Sequence, residues 1–147
     1  MKPALIPLLV GAIAGICMAV QGSLNTLLSK AVGLLEANFV VHVLGTILLI
    51  VLLLLGLGKG DLTHVGKAPW YAYLGGVFSI IILYTVMASI SKLGVSIATT
   101  AIIVGQVSTA LLIDHFGLFG LKVVPFTWWK MLGVVLLASG AKLMLNN

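Results

Sequence analysis

Apolar side chains occupy five long runs of this sequence, and most charged side chains lie in the short stretches between them. A helix that crosses the hydrocarbon core of a bilayer needs about 20 mostly apolar residues. Each run satisfies this length, so the pattern predicts an all-α integral membrane protein with five transmembrane helices. The predicted helices cover about residues 4–28, 34–57, 70–93, 95–113 and 126–145.

The connectors between these helices are too short to fold separately, which predicts a single domain over residues 1–147. Aromatic side chains such as Trp70 and Trp128 lie at predicted helix ends, as interfacial aromatic residues do in membrane proteins. Pro69 and Pro125 precede the third and fifth helices, where a missing N–H group costs little. Both features support the predicted starts of these two helices.

The composition excludes a water-soluble protein. Of the 147 residues, 61% are hydrophobic and 7% are charged, whereas a soluble domain has about 25% charged residues. The net charge of +5 comes from scattered lysines, without the basic patch of a nucleic-acid-binding protein. The single cysteine, Cys17, excludes a disulfide framework. We therefore expect a multi-pass protein of the inner (plasma) membrane with no nucleic-acid partner.

The lysines give only a weak preference for one orientation in the membrane. Five helices place the two termini on opposite sides, and lysine favours the cytoplasmic side. The amino-terminal side holds Lys2, Lys59, Lys67, Lys122 and Lys130, and the other side holds Lys30, Lys92 and Lys142. A chain with so small a difference is expected to insert both ways and to pair with an inverted copy of itself.

Small residues form two stripes along the predicted helices. Gly11 and Gly15 make a GxxxG motif that Gly22 continues, and Gly133 and Gly140 mark the fifth helix. Small residues let helix backbones approach closely in lipid. The stripes predict helix packing, either within the chain or between two subunits.

Several polar side chains lie inside the predicted helices, where they are expensive unless they face protein or water. Gln21 and Asn25 are four residues apart and share one helix face, as do Asn38 and His42. These amides and the imidazole indicate either hydrogen bonds between helices or the lining of a cavity. The full set of predicted substrate-binding residues is Gln21, Asn25, Asn38, His42, Tyr84 and Gln106.

Depth separates the ionisable residues from one another. At 1.5 Å per residue, His42 lies about 4–5 Å and Glu36 about 13–14 Å from the middle of the second helix. Gln106 lies about 3 Å from the middle of the fourth helix. We therefore expect His42 and Gln106 at a central site and Glu36 at an acidic mouth, with Glu36 and His42 coupling transport to protons or cations.

Motifs for other kinds of chemistry are missing from the sequence. There is no phosphate-binding GxxxxGK[ST] loop, HExxH zinc motif or GxSxG nucleophile elbow. The three histidines are isolated on separate segments. We therefore expect no enzyme, no metal site and no cofactor. A channel is also disfavoured, because no ring of like charges or filter sequence is visible.

Three motifs stand out along the chain. They are Gln21-Gly22-x-x-Asn25, Gly45-Thr46, and Gly105-Gln106 followed by Leu112-Ile113-Asp114-His115-Phe116-Gly117-Leu118-Phe119-Gly120. Together they resemble the YdcZ family of the drug/metabolite transporter superfamily. The resemblance covers nearly the whole chain. It implies a five-helix unit that acts as half of a ten-helix assembly built from inverted repeats.

The function expected from these observations is secondary transport of a small polar or cationic metabolite or xenobiotic. The transporter would be an antiparallel homodimer in the lipid bilayer, or a pair with an opposite-topology paralogue, working by alternating access. A scaffold or regulatory subunit that transports nothing remains the alternative, and it would satisfy its polar side chains inside the helix bundle.

Overall fold

The computed structural model describes residues 5–145, which form helices and loops without any strand. The five long helices are α1 (Leu5–Val32), α2 (Leu34–Leu54), α3 (Leu74–Leu93), α4 (Val95–Phe116) and α5 (Trp128–Leu145). Each is long and apolar enough to cross a membrane, α3 together with the short 3₁₀ turn Trp70–Tyr73 that precedes it. The predicted class, an all-α chain with five membrane helices, is confirmed. The ten-helix assembly stays a prediction.

Several helix ends differ from the predicted ones by two to four residues. The first helix continues to Val32 instead of ending near residue 28, so the connector shrinks to Gly33. Here the hydroxyls of Thr26 and Ser29 donate to the carbonyls of Gly22 and Thr26, at 2.7 and 2.8 Å. These bonds let hydroxyl side chains remain inside a helix. No helix breaker therefore occurs before Gly33.

The other ends also follow local backbone chemistry. α2 stops at Leu54 and not at 57, because Gly56 adopts a positive φ of 72° and ends the helical run. α4 extends to Phe116, where Gly117 takes the left-handed conformation that commonly ends helices. α5 starts at Trp128, two residues later than expected, after the extended stretch that follows α4.

Two glycines join successive helices almost without a loop. Gly33 has φ 101° and ψ 159° before α2, and Gly94 has φ 80° and ψ 166° before α4. Only glycine adopts this backbone region readily. Each carbonyl accepts the first hydrogen bond of the next helix, from Ala37 at 3.0 Å and from Ala98 at 3.2 Å. At each of these glycines one helix therefore ends and the next begins.

Alanine at either glycine is expected to lower the free energy of unfolding by about 1–3 kcal/mol, because a Cβ strains this backbone conformation. At Gly33 the Cβ would also collide with the Glu36 carboxylate, whereas at Gly94 it would meet open space. Because this carboxylate ends a flexible side chain that can move aside, both alanine variants should lose similar amounts of stability. Thermal unfolding in detergent, followed by circular dichroism, measures the differences. A Gly33→Ala protein as stable as the wild type would contradict this account of the joint.

The chain divides into two compact units, Met1–Ser91 and Lys92–Asn147. In the first unit α1 packs on α2, and Ala37, Leu83 and Met87 form a small buried core between α2 and α3. In the second unit α4 packs on α5. Most large apolar side chains of both units are exposed, as expected for helices that face lipid.

The segment after α4 folds back against the end of that helix. The Gly117 N–H donates to the Ile113 carbonyl, and the Val124 N–H donates to the Asp114 carbonyl at 2.8 Å. A Cβ on Gly117 would lie 2.6 Å from Val123 Cγ2. This part of the Asp114–Gly120 motif therefore has a structural role, since its glycine ends α4 and lets the chain reverse.

The loop between α2 and α3 holds a local hydrogen-bonded turn. Asp61 Oδ1 accepts from the Thr63 hydroxyl at 2.7 Å and from the Thr63 N–H at 2.8 Å. These two bonds, the hydroxyl contributing more, hold the pKa of the Asp61 carboxyl below its usual value.

Thr63→Val should raise the Asp61 pKa towards that of a free aspartate, because it removes the hydroxyl and keeps the N–H. The sign follows from linkage: the lowered pKa stabilises the folded turn above the usual aspartate pKa, and this is lost as pH falls through the lowered value. Carbon-13 NMR of the labelled carboxyl measures the change. An identical titration in the variant would show that the hydroxyl bond is absent.

Candidate functional site

A cavity of about 500 Å³ lies beside the first half of α2. Its walls are mainly apolar, and three predicted site residues contribute the polar groups. The lining residues are Leu35, Glu36, Asn38, Phe39, Val40, His42 and Ile80. We call this space the α2 cavity. A mostly apolar pocket with a few polar groups is the usual form of a small-molecule site.

Asn38 ties α2 to α3 and also carries an unused acceptor. The side chain is 2% exposed, and its Nδ2 donates to the Ile80 carbonyl at 2.8 Å. Its Oδ1 is buried without a hydrogen-bond partner. An unpaired buried polar atom costs about 1–3 kcal/mol. The amide therefore keeps one buried acceptor unpaired in a side chain that lines the cavity.

His42 is half-buried and bonded at both ring nitrogens. Nδ1 lies 2.8 Å from the Asn38 carbonyl oxygen, one turn earlier in α2. Nε2 lies 3.0 Å from Ser79 Oγ on α3, and the same Oγ lies 2.7 Å from the Gly76 carbonyl. Because His42 is two residues from the middle of α2, it lies about 3 Å from the centre of that helix.

Glu36 lies in the first turn of α2, where its side chain bends over Gly33. A carboxylate at this end of a helix is favoured by the partial positive charge of the free N–H groups. Glu36 is exposed and about 12 Å from the middle of α2. It therefore lies towards the end of the cavity nearest the membrane surface.

Three other predicted residues of the first unit lie outside the lining of the α2 cavity. Asn25 is buried on α1, and its Nδ2 has no hydrogen-bond partner. Gln21, one turn earlier, is exposed. Tyr84 is 41% exposed on α3, one turn beyond Ile80. The structure thus brings together Glu36, Asn38 and His42, and leaves Gln21, Asn25 and Tyr84 elsewhere in the unit.

Gln106 belongs to the second unit, where it lies exposed on α4. By position, Gln106 is about 1 Å and Gln21 about 4 Å from the middle of its own helix. Within residues 5–145, neither glutamine side chain has a hydrogen-bond partner. Exposure of such an amide to hydrocarbon is strongly unfavourable. In a bilayer both side chains therefore need a protein or water neighbour beyond the helices of their own unit.

The glycines of the small-residue stripes differ in whether another helix packs against them. A Cβ on Gly22 would lie 2.9 Å from Ile90 Cδ1 and 3.2 Å from Val86 Cγ1, so α1 approaches α3 closely at this glycine. A Cβ on Gly11, Gly15, Gly133 or Gly140 would meet no atom of the described chain within 4 Å. Four of the five predicted packing glycines are thus still open to a neighbour.

Sequence reasoning missed two features. The first is Ser79, a hydroxyl that would ordinarily bond only to its own helix but here also contacts His42. The second is another cavity of about 500 Å³ on α4 and α5, whose polar lining includes His115. His115 Nδ1 accepts from the Phe126 N–H at 3.3 Å. The aromatic residues at the end of α4 were the only sequence signal for this cavity. The segment between α4 and α5, which completes it, has no periodic pattern from which its position could be predicted.

The comparison with protein families decides the identity of the chain. The sequence model of a family described as "Putative inner membrane exporter, YdcZ" matches residues 6–143. The chain belongs to this family. No curated protein and no solved structure matches it. As a YdcZ-family protein with five membrane-spanning helices, it is a multi-pass protein of the inner membrane with a transporter-like role. The predicted family and location are confirmed.

Proposed function

We propose that this YdcZ-family chain forms half of a secondary transporter, which exports a small polar or cationic metabolite or xenobiotic. The observation that carries the proposal is the exposure of Gln21 and Gln106 near the middle of their helices. Because a lipid-facing amide there is costly, protein from beyond the residue's own unit, in this proposal a second chain, or a water-filled path covers it. A scaffold that satisfied its own polar groups would have no such requirement.

An inverted copy of the same chain is the proposed partner. Five helices put the termini on opposite sides, and the lysines favour neither orientation strongly. Inverted repeats place a substrate site near the midplane and allow alternating access by rocking around it. His42 lies near the middle of α2, so in an inverted pair it can meet its copy near the midplane. In the second unit, Gln106 is the polar side chain nearest the middle of α4.

The α2 cavity is mainly apolar, and its unpaired polar groups are acceptors, which indicates the class of solute. Asn38 Oδ1 is an unpaired acceptor, Glu36 supplies a carboxylate, and no lysine lines the cavity. A solute with an apolar body and a cationic or N–H group fits such walls. In an inverted pair the two Glu36 side chains would lie about 24 Å apart along the membrane normal. Each would therefore serve its own opening.

Proteoliposomes provide the test of this function. They are loaded with ethidium, an aromatic cation whose fluorescence reports its location, and a pH gradient is imposed. We expect release of ethidium that depends on the protein and on the gradient. Parallel vesicles hold a neutral polar solute, whose release would also fit the proposed class, and an organic anion, which should be retained. Release of neither ethidium nor the neutral solute from vesicles that contain folded dimer would contradict the proposal and favour the scaffold.

A further inference from the structure

We propose that the α2 cavity carries a proton on Nε2 of His42, and that Ser79 is the positioning residue that lets the site hold both charge states. The inference deepens the proposed function and rests on it only for the role in transport. The proton site itself is argued from three heavy-atom distances and the donors and acceptors that they connect.

The first step fixes which ring nitrogen is free to gain and lose a hydrogen. His42 Nδ1 is 2.8 Å from the Asn38 carbonyl oxygen, and a carbonyl oxygen can only accept. Nδ1 must therefore carry a hydrogen in the neutral and in the protonated ring. The exchangeable proton is consequently the one on Nε2, which faces Ser79 Oγ at 3.0 Å.

The second step concerns the single hydrogen of the Ser79 hydroxyl. In the neutral state, Ser79 donates this hydrogen to the Nε2 lone pair. When a proton from water binds Nε2, the new N–H donates to Ser79 Oγ, and the hydroxyl hydrogen turns to the Gly76 carbonyl at 2.7 Å. No covalent bond breaks in the protein. The same heavy-atom positions satisfy both states, so the ring can gain and lose a proton without repacking of α2 against α3.

Within its own chain His42 has few other ionisable groups around it, and in the proposed inverted pair the partner's His42 would be a further one. On α2 and in the cavity lining the other one is Glu36, about 9 Å away along the helix. The ionisable side chains of the packed helices are Cys17 and Lys30 on α1 and Tyr84 and Lys92 on α3, and none is hydrogen-bonded to His42. The proton that binds Nε2 is therefore supplied by water and not by a neighbouring ionisable side chain.

Nitrogen-15 NMR tests the proton site without any substrate. The dimer in detergent carries ¹⁵N-labelled histidine, and His42→Gln identifies the His42 signals among those of His64 and His115. At high pH we expect Nδ1 protonated and Nε2 unprotonated, and at low pH both protonated. A neutral His42 with its hydrogen on Nε2 overturns the proposal, as does a ring that never gains the second proton between pH 4 and 9.

Variants of Ser79 test the positioning role. In Ser79→Ala the neutral Nε2 signal should move to that of a nitrogen without a hydrogen-bond donor, and Ser79→Thr should restore the wild-type signal. The matched control is Ser91→Ala, because Ser91 on the same helix bonds only to the Ala88 carbonyl at 2.9 Å. Unchanged Nε2 signals in Ser79→Ala overturn the proposed contact.

Transport supplies the second readout. Loss of one hydrogen bond to a charged ring predicts a fall of about ten-fold in gradient-driven ethidium release for Ser79→Ala, with near-normal rates for Ser79→Thr and Ser91→Ala. Equal rates for Ser79→Ala and Ser91→Ala would contradict the coupling role. If wild-type vesicles release nothing while the NMR states are as expected, the transport function fails and the proton site stands.

Discussion

His42→Ala is expected to abolish gradient-driven release of the ethidium probe while the chain remains folded and inserted. The imidazole is the titratable group nearest the middle of α2, and it contacts both the Asn38 carbonyl and the Ser79 hydroxyl. Its removal deletes the proposed proton carrier but leaves the Asn38 bond between α2 and α3 intact. The lost hydrogen bonds should cost about 1 kcal/mol each. Initial rates of release from proteoliposomes measure the effect.

His64→Ala is the matched control. His64 lies in the exposed 3₁₀ turn Leu62–Lys67 between α2 and α3, where its Nδ1 is 3.3 Å from Asp61 Oδ2. This side chain is far along the sequence from the cavity lining and exposed to solvent, so we expect wild-type rates. If His42→Ala retained the wild-type rate and pH dependence, the α2 cavity would not be the coupling site.

Forcing the chain into one orientation is the second change with a large expected effect. Gly60→Lys with Gly66→Lys adds two charges to the α2–α3 loop, where a new side chain meets no atom within 4 Å. By the positive-inside rule this loop should then stay cytoplasmic. An inverted pair can no longer form, so transport should fall to background although the helices remain intact.

Two further variants make this prediction specific. Glutamine at both glycines adds similar bulk without charge and should keep activity. Ala31→Lys with Ser91→Lys charges exposed positions near the ends of α1 and α3, on the opposite side of the membrane. Coexpression of the two lysine variants should restore transport, because each supplies one orientation. Full activity of the Gly60→Lys, Gly66→Lys chain alone would exclude a requirement for both orientations.

Hydrophobic runs predicted all five helices because lipid solvation demands long apolar segments, whatever the tertiary contacts. Helix ends were predicted less well, since they depend on single backbone conformations. The positive φ at Gly33 and Gly56 and the hydroxyl bonds of Thr26 and Ser29 decide them locally. A hydropathy pattern contains neither kind of information.

The candidate site was predictable only where one helix supplies it. Asn38 and His42 share a face of α2 by their four-residue spacing, and the structure places both at one cavity. Ser79 was missed because its partner, His42, is on another helix. From the sequence, a hydrogen bond to a carbonyl of its own helix was enough to account for its hydroxyl. The spacing of Gln21 and Asn25 gave a common face as well, but burial differs between them because α1 is covered around Asn25 and open at Gln21.

The central claim is that the chain forms an inverted pair. The most direct test is to find on which side of the membrane a single cysteine can be labelled. Cys17→Ser removes the native thiol, and Gly60→Cys places one in the α2–α3 loop at a position with space for a side chain. Sealed inside-out and right-side-out vesicles are treated with a membrane-impermeant maleimide, and the same Gly60→Cys chain with Ala31→Lys and Ser91→Lys is the one-orientation control. The account predicts that substantial fractions of the molecules are labelled in both kinds of vesicle, before any permeabilisation. Labelling confined to one kind of vesicle would contradict it.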